Sequence, residues 1–354
     1  MNIGIVGAGA IALASAAWLD ARGHAPMLWA PRASGTDTDR SLALASAGLL
    51  DARIVVPWAG SVGELAVTNE FILIAIPVNG HQAVMDVLAP HLHAGQTVLV
   101  SSMASLSSLY LHEQLHRLGI TGVTVASLGS TVLTARREAP DRVRILTRRK
   151  SLAVSALPVS RRDAALELCT TLFGEGFTPE VNALASALSN TNPVAHAPLA
   201  LFNWTRIERA EHWPQYHYMT PRVAAVIERL DAERLALAAA FGLSVRSIEQ
   251  HFVQSFGVQP GRLADIAEEL HASRGGPPGP IDPATRYLAE DVPFGLAFAA
   301  ALGRLAQVPT PATDAIVATA GLLTGNDCAA GNTLIDALGL AGETAQGLLA
   351  RVNA

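Results

Sequence analysis

The stretch NIGIVGAGAIALASAAWLDAR, Asn2 to Arg22, decides the class of fold. Asn2–Val6 is short and mostly apolar and reads as a strand. Ile11–Arg22 carries a helical pattern. Between them, Gly7-Ala8-Gly9-Ala10-Ile11-Ala12 fits GxGxxG/A in the strand-to-helix context that this pattern needs. In such a turn the first glycine permits the tight bend. The second lets the backbone approach a pyrophosphate, and a small third residue keeps the helix close to the sheet. Unsatisfied N–H groups and the dipole at the helix start favour an anion there. Gly7, Gly9, Ala10, Ile11 and Ala12 are therefore expected to hold a dinucleotide.

Working outward, further strands are expected at Ala25–Trp29, Phe71–Ile76, Gln96–Val100 and Val123–Ala126, with helices between them such as Gln82–Leu92. Most of these strands are short, apolar and β-branched, as in a sheet covered on both faces. The alternation predicts a Rossmann-type doubly wound α/β domain. Pro77, just past the third strand, is placed with the cofactor residues. The second strand ends in LWAPRASGTD, with no carboxylate directly at its tip to accept from a ribose 2′-hydroxyl. Arg32 and Ser34 follow instead, and a guanidinium suits a 2′-phosphate. The expected cofactor is NADP(H), with NAD(H) also usable.

From about Asn182 the strand signals end and Ala/Leu-rich helices take over. The division expected is a dinucleotide-binding domain over 1–182 and an all-α substrate domain over 183–354. Thr220-Pro221 reads as a helix start, with Pro at the first helical position, and Gly242 as its stop. Ser273–Pro283, SRGGPPGPIDP, holds four prolines and three glycines and is expected to be a loop, placed as a mobile lid. The segment EHWPQYHYMT, Glu211–Thr220, is expected to be a loop lining the substrate cleft.

One histidine, His196, stands in the largely apolar helix of NTNPVAHAPLALFNWTRIE, Asn190–Glu208. By its residues alone it reads as a core histidine. The competing reading is an acid/base group, since imidazole titrates near neutrality. Asn192 lies four residues earlier on the same helix face. Asn203 and Arg206 continue the helix and are candidate substrate contacts, and Pro198 should bend it near His196.

Composition narrows the class of protein. Half of the 354 residues are apolar, the net charge is −5 and only 5% are aromatic. The basic residues are scattered, so a nucleic-acid partner is not expected. Cys169 and Cys328 sit in no metal-binding spacing and read as reduced thiols, and no metal is expected. Residues 2–19 lack charge but also lack the basic start of a secretory signal. No stretch has the ~18 uninterrupted apolar residues of a membrane span. A cytoplasmic protein without a membrane partner is expected.

The segments SALSNTNPVAHAPLALFNWTRIE, DAERLALAAAFGL and PIDPATRYLAEDVPFGL, in that order and spacing, resemble the opine dehydrogenase family, which includes octopine and nopaline dehydrogenases and bacterial N-(carboxyalkyl)amino acid dehydrogenases. ASLGSTVLTARREAPDRV resembles the end of that family's nucleotide domain. The resemblance implies reductive condensation of an α-keto acid with the amino group of an amino acid, using NAD(P)H. It implies that His196 is the acid/base, that Asp291 orients it, and that Arg286 grips the keto-acid carboxylate. It also implies small-molecule partners and a homodimer. Departures exist: SSMASLSSL stands where relatives often have a Pro-Gly turn, and a family Glu near the fifth strand is missing from VASLGST. The alternative is a plain 2-keto or β-hydroxy acid reductase, which needs no amine.

Overall fold

The computed structural model describes residues 1–31 and 40–354. The chain divides into two compact units, Met1–Ala187 with Ala350–Ala354, and Leu188–Leu349. The boundary thus lies a few residues past the expected one, and the last five residues return to the first unit. Specific bonds hold that tail. Asn182 donates from its amide to Asn353 at 3.0 Å, Arg351 pairs with Glu113 at 2.7 Å, and the backbone N–H of Val159 donates to Ala354 at 2.8 Å.

The first unit is built on a seven-stranded sheet. Its strands are β1 (Asn2–Val6), β2 (Ala25–Trp29), β5 (Phe71–Ile74), β6 (Thr97–Val100), β7 (Thr124–Leu128), β10 (Leu152–Leu157) and β11 (Phe177–Pro179), in the order β11-β10-β7-β6-β5-β1-β2. Five strands from β7 to β2 run parallel, and β10 is antiparallel to β7. All four residues of β5 are buried, as a strand covered on both faces requires. The five expected strands are all present.

A second sheet was not expected. It holds β3 (Ser41–Gly48), β4 (Ala52–Pro57), β8 (Leu133–Ala139) and β9 (Arg142–Arg148), in the order β4-β3-β9-β8. It joins two hairpins far apart in sequence, Ser41–Pro57 and Leu133–Arg148, through parallel pairing of β3 with β9. Its buried side chains Leu44, Val56, Leu133, Val143 and Ile145 share one core with the helix Ala10–Ala21.

The loop after β6 pays a backbone cost. Ser102, Ser105 and Leu106 have φ of 56°, 49° and 56°, a left-handed conformation that glycine adopts without strain. These residues lie in the SSMASLSSL segment.

The second unit is helical. Pro221–Ala240 is its longest helix and ends where expected, with Gly242 at φ +67°. Two buried polar clusters position it. Asp231 and Arg234 pair at 2.7 Å, with Asp231 also accepting from the N–H of Ile248. Glu233 accepts from the N–H groups of Ala312 and Thr313, so one carboxylate caps the helix Pro311–Thr324 from a neighbour. No helix among the described residues is long and apolar enough to cross a membrane.

Candidate active site

The dinucleotide turn has the geometry that its sequence predicts. Gly7 has φ +139°, and a Cβ there would lie 2.5 Å from the Ala75 carbonyl oxygen, so only glycine fits. A Cβ on Gly9 would meet nothing within 4 Å, which leaves open space beside the backbone. Ala12 is fully buried under the helix it belongs to. No acidic residue occupies the first turn of Ala10–Ala21, so nothing there repels a phosphate. The Arg137 guanidinium donates to the Ala8 carbonyl at 3.0 Å and ties the second sheet to the turn. Pro77 is exposed and opens the short turn Val78–Gly80 after β5. These residues fit a dinucleotide. Arg32 and Ser34 lie outside the described residues.

Two histidines show how different environments assign different work. His81 is fully buried in the first unit, with Nδ1 on Ser107 at 2.9 Å and Nε2 on the Ile76 carbonyl at 3.2 Å. Burial pushes its pKa down to about 4, against a smaller opposing effect of the Ile76 bond. It is a neutral core group with both nitrogens in use. His196 differs. Its Nδ1 lies 2.8 Å from Asp291 Oδ2, and the two side chains keep 15% exposure each. A carboxylate only accepts, so Nδ1 carries the hydrogen and Nε2 is left to exchange a proton. Nε2 has no hydrogen-bond partner among the described residues.

The local folding explains how groups 95 residues apart meet. His196 stands on the helix Asn192–Phe202, which has Pro193 in its first turn. Asp291 immediately precedes a single π-helical stretch, Val292–Ala297, a local widening common at functional sites. Gly295 in that stretch lies against Pro193: a Cβ there would be 2.3 Å from Pro193 Cγ. Close approach of the two segments therefore depends on glycine. The Asn332 amide donates to the Pro293 carbonyl at 2.9 Å and satisfies backbone at the widened turn.

The imidazole is also stacked. The rings of His196 and Tyr287 lie 3.9 Å apart at 3° between planes. The Tyr287 phenol has its pKa raised, first by burial, with Asp291 adding in the same direction and Gln215 and Arg286 opposing. It stays protonated near neutrality. Arg286, next to it, is exposed, and its guanidinium has no ion pair or hydrogen bond among the described residues, while its carbonyl accepts from the Glu290 N–H at 2.8 Å.

Other expected site residues fall differently. The helix does not run on to Arg206: it breaks at Asn203, at φ −120°, and resumes as Trp204–Glu208. Asn203 is buried and its amide donates to the Leu199 carbonyl at 3.0 Å, so it closes a helix end rather than facing a substrate. Arg206 pairs with Glu211 at 2.8 Å and lies over the Tyr218 ring, so its charge is already engaged. Asn192 is half-buried at the first position of its helix.

The proline-glycine segment is not the mobile lid that its composition suggested. Gly279 N–H donates to the Trp213 carbonyl at 2.7 Å, and the Trp213 indole N–H donates to Pro280 at 3.0 Å. Gln215 binds the same strap twice, from its backbone to Pro277 at 3.1 Å and from its side chain to Pro278 at 2.9 Å. Trp213 is 1% exposed. The strap is stitched to Trp213–Gln215 and packed over a core aromatic. Glu211–Thr220 was expected as a cleft loop; its middle is the strap's anchor. The residues that sequence reasoning missed are Tyr287, Gln215 and Gly295. The place of Tyr287 beside Arg286 was the one signal that could have found it, and neither of the others carried a local one.

Residues 179–324 match the model of the NAD/NADP octopine/nopaline dehydrogenase alpha-helical domain. An opine dehydrogenase of Arthrobacter sp. (strain 1C) is 29% identical over 353 residues, covering 99% of this chain and 98% of the relative. The chain is thus similar to an opine dehydrogenase over its whole length, and its helical part matches that family's domain. Solved structures agree with this chain in fold. Octopine dehydrogenase with NADH and L-arginine matches at a TM-score of 0.78, with 16% identity over 99% of this chain and 98% of that one. Yersinopine dehydrogenase with NADP+ matches at 0.72, with 16% identity over 100% and 98%. A PanE/ApbA family ketopantoate reductase from Ralstonia eutropha JMP134 matches at 0.63, with 17% identity over 92% and 99%.

Proposed function

We propose that this protein is an NAD(P)H-dependent opine dehydrogenase that joins an α-keto acid to the amino group of an amino acid and reduces the product to a secondary amine dicarboxylate. The observation that carries the reading is the His196–Asp291 pair, with Nδ1 bound at 2.8 Å and Nε2 without a partner among the described residues. A bound nicotinamide would supply the hydride. The overall balance is keto acid, amine, NAD(P)H and one proton in, and opine, NAD(P)+ and water out.

The protein's own groups manage the proton. His196 Nε2 takes a proton from the attacking ammonium and returns it to the oxygen that leaves as water. Asp291 holds the imidazole in one tautomer and stabilises its charged form. Arg286, whose guanidinium has no partner among the described residues, receives the keto-acid carboxylate through a two-pronged contact. Asn192, on the His196 face, is a further substrate contact. Gly7, Gly9, Ala10, Ile11 and Ala12 hold the pyrophosphate, with Pro77 beside the cofactor.

NADP(H) is the preferred cofactor in this reading, because the tip of β2 lacks a carboxylate and Arg32 and Ser34 follow it. The neighbours by fold include one with NADH and one with NADP+. The reading also keeps a homodimer, testable by sedimentation, and a cytoplasmic location. The ketopantoate reductase likeness is weaker and covers less of the chain, so a plain keto-acid reductase is less favoured.

Substitution at the pair tests the proposal. His196→Ala should lower kcat by about 10²–10⁴ with nucleotide binding retained. Asp291→Asn should slow turnover without unfolding the protein. Near wild-type turnover in either variant contradicts the assignment.

A further inference from the structure

We infer that Tyr287 is a positioning residue for His196, and that Gln215 holds it there from the proline-glycine strap. The inference rests on His196 being the proton donor. One hydrogen bond at Nδ1 leaves the imidazole free to tilt about the line from its Cβ through the Asp291 contact. A flat ring 3.9 Å away and 3° from parallel removes that tilt. Together the two contacts fix where Nε2 points.

Tyr287 is itself held. The Gln215 side chain is 2.9 Å from the Pro278 carbonyl and 2.6 Å from the Tyr287 phenol oxygen, through the same nitrogen. A proline carbonyl only accepts, so the amide's NH2 end must face it. The phenol oxygen therefore accepts from Gln215. Gln215 is 5% exposed, and its backbone N–H is spent on Pro277 at 3.1 Å. The order of support runs strap, Gln215, Tyr287, His196, Asp291. On the other side, Thr285 caps the short helix Arg286–Ala289 by accepting from the Tyr287 N–H at 3.3 Å. The ring is thus fixed at its backbone and at its tip.

The flat face should matter more than the hydroxyl, since the stack needs only the ring. Tyr287→Leu should lower kcat by about tenfold, the scale of a lost aromatic pair and a misaimed group. KM for keto acid and the nucleotide Kd should stay within about threefold. Tyr287→Phe should restore kcat to within about threefold of wild type. Tyr287→Met, which keeps apolar bulk without a flat face, serves if the leucine variant does not fold, and should be as slow. Wild-type kcat in the leucine or methionine variant overturns the inference, as does a phenylalanine variant no faster than they are. His196→Ala is run beside them. If it keeps wild-type turnover, the proton-donor reading itself fails. If it is inactive while the leucine and methionine variants are unimpaired, only the role of Tyr287 falls.

Discussion

Two glycine-rich segments of this chain look alike in sequence and do opposite things. In the turn Gly7–Ala12, the space beside Gly9 is empty and the helix N-terminus faces it. In the strap Gly275–Pro280, the same kind of space is filled by the protein's own aromatics. A Cβ on Gly276 would lie 2.5 Å from the Tyr216 ring, and one on Gly279 only 2.0 Å from the Trp213 indole. Glycine leaves room in both, open space in the first and room for a side chain some sixty residues earlier in the second. Neither segment owes its glycines to mobility. What occupies the missing Cβ's place decides the role.

Substituting the two sites in parallel should separate them most sharply. Gly279→Ala drives a methyl into a buried indole and should cost more than about 4 kcal/mol, or prevent folding. Gly9→Ala has open space and a backbone at φ −81° that alanine accepts, so stability should change by less than about 0.5 kcal/mol. It should instead weaken dinucleotide binding by about tenfold, because the backbone can no longer approach the phosphates. Denaturant melts and nucleotide titrations give both numbers. Equal stability losses at the two positions would erase the distinction.

Gly295 plays the same part beside the His196–Asp291 pair. Its Cβ space is taken by Pro193, three residues before His196. Gly295→Ala should push the π-helical stretch from the histidine helix and lower kcat by about 10–10² through misplacement of the pair, with nucleotide affinity retained. Unchanged kcat would show that the contact does not set the pair's geometry.

The smallest effect is the converse case, a site that wants glycine and lacks it. Ser102 has φ 56°. Ser102→Gly should stabilise the protein by about 1 kcal/mol in denaturant melts, less the greater entropy of the unfolded chain. A destabilised variant would mean that the serine side chain offsets its own strain.

These contrasts also explain what the sequence disclosed. The dinucleotide turn was legible because strand, turn and helix are contiguous and each glycine acts on its own backbone. The parallel strands were legible as apolar runs. The second sheet was not: Ser41–Gly48 is rich in alanine and leucine, which favour helix, and its partner strand β9 lies almost a hundred residues away. His196 could be picked out only against a family pattern, since an apolar helix says nothing about Asp291. Composition marked Ser273–Pro283 as irregular, which holds from Gly275 onward, since Ser273 and Arg274 end the helix Leu263–Arg274. It could not show that Trp213 and Gln215 bind the strap, because that information resides in another segment. Tyr287 escaped for the same reason, its meaning depending on a ring brought to it by tertiary packing.

On the proposed function, this chain uses the His196–Asp291 pair to couple an amine to a keto acid and reduce the product. The most direct measurement is NADPH and NADH oxidation across a panel of α-keto acids, each with and without the common amino acids. Oxidation that requires both a keto acid and an amino acid, with a secondary amine dicarboxylate found by mass spectrometry, is the predicted result. Equal oxidation with keto acid alone, giving a hydroxy acid, would contradict the claim.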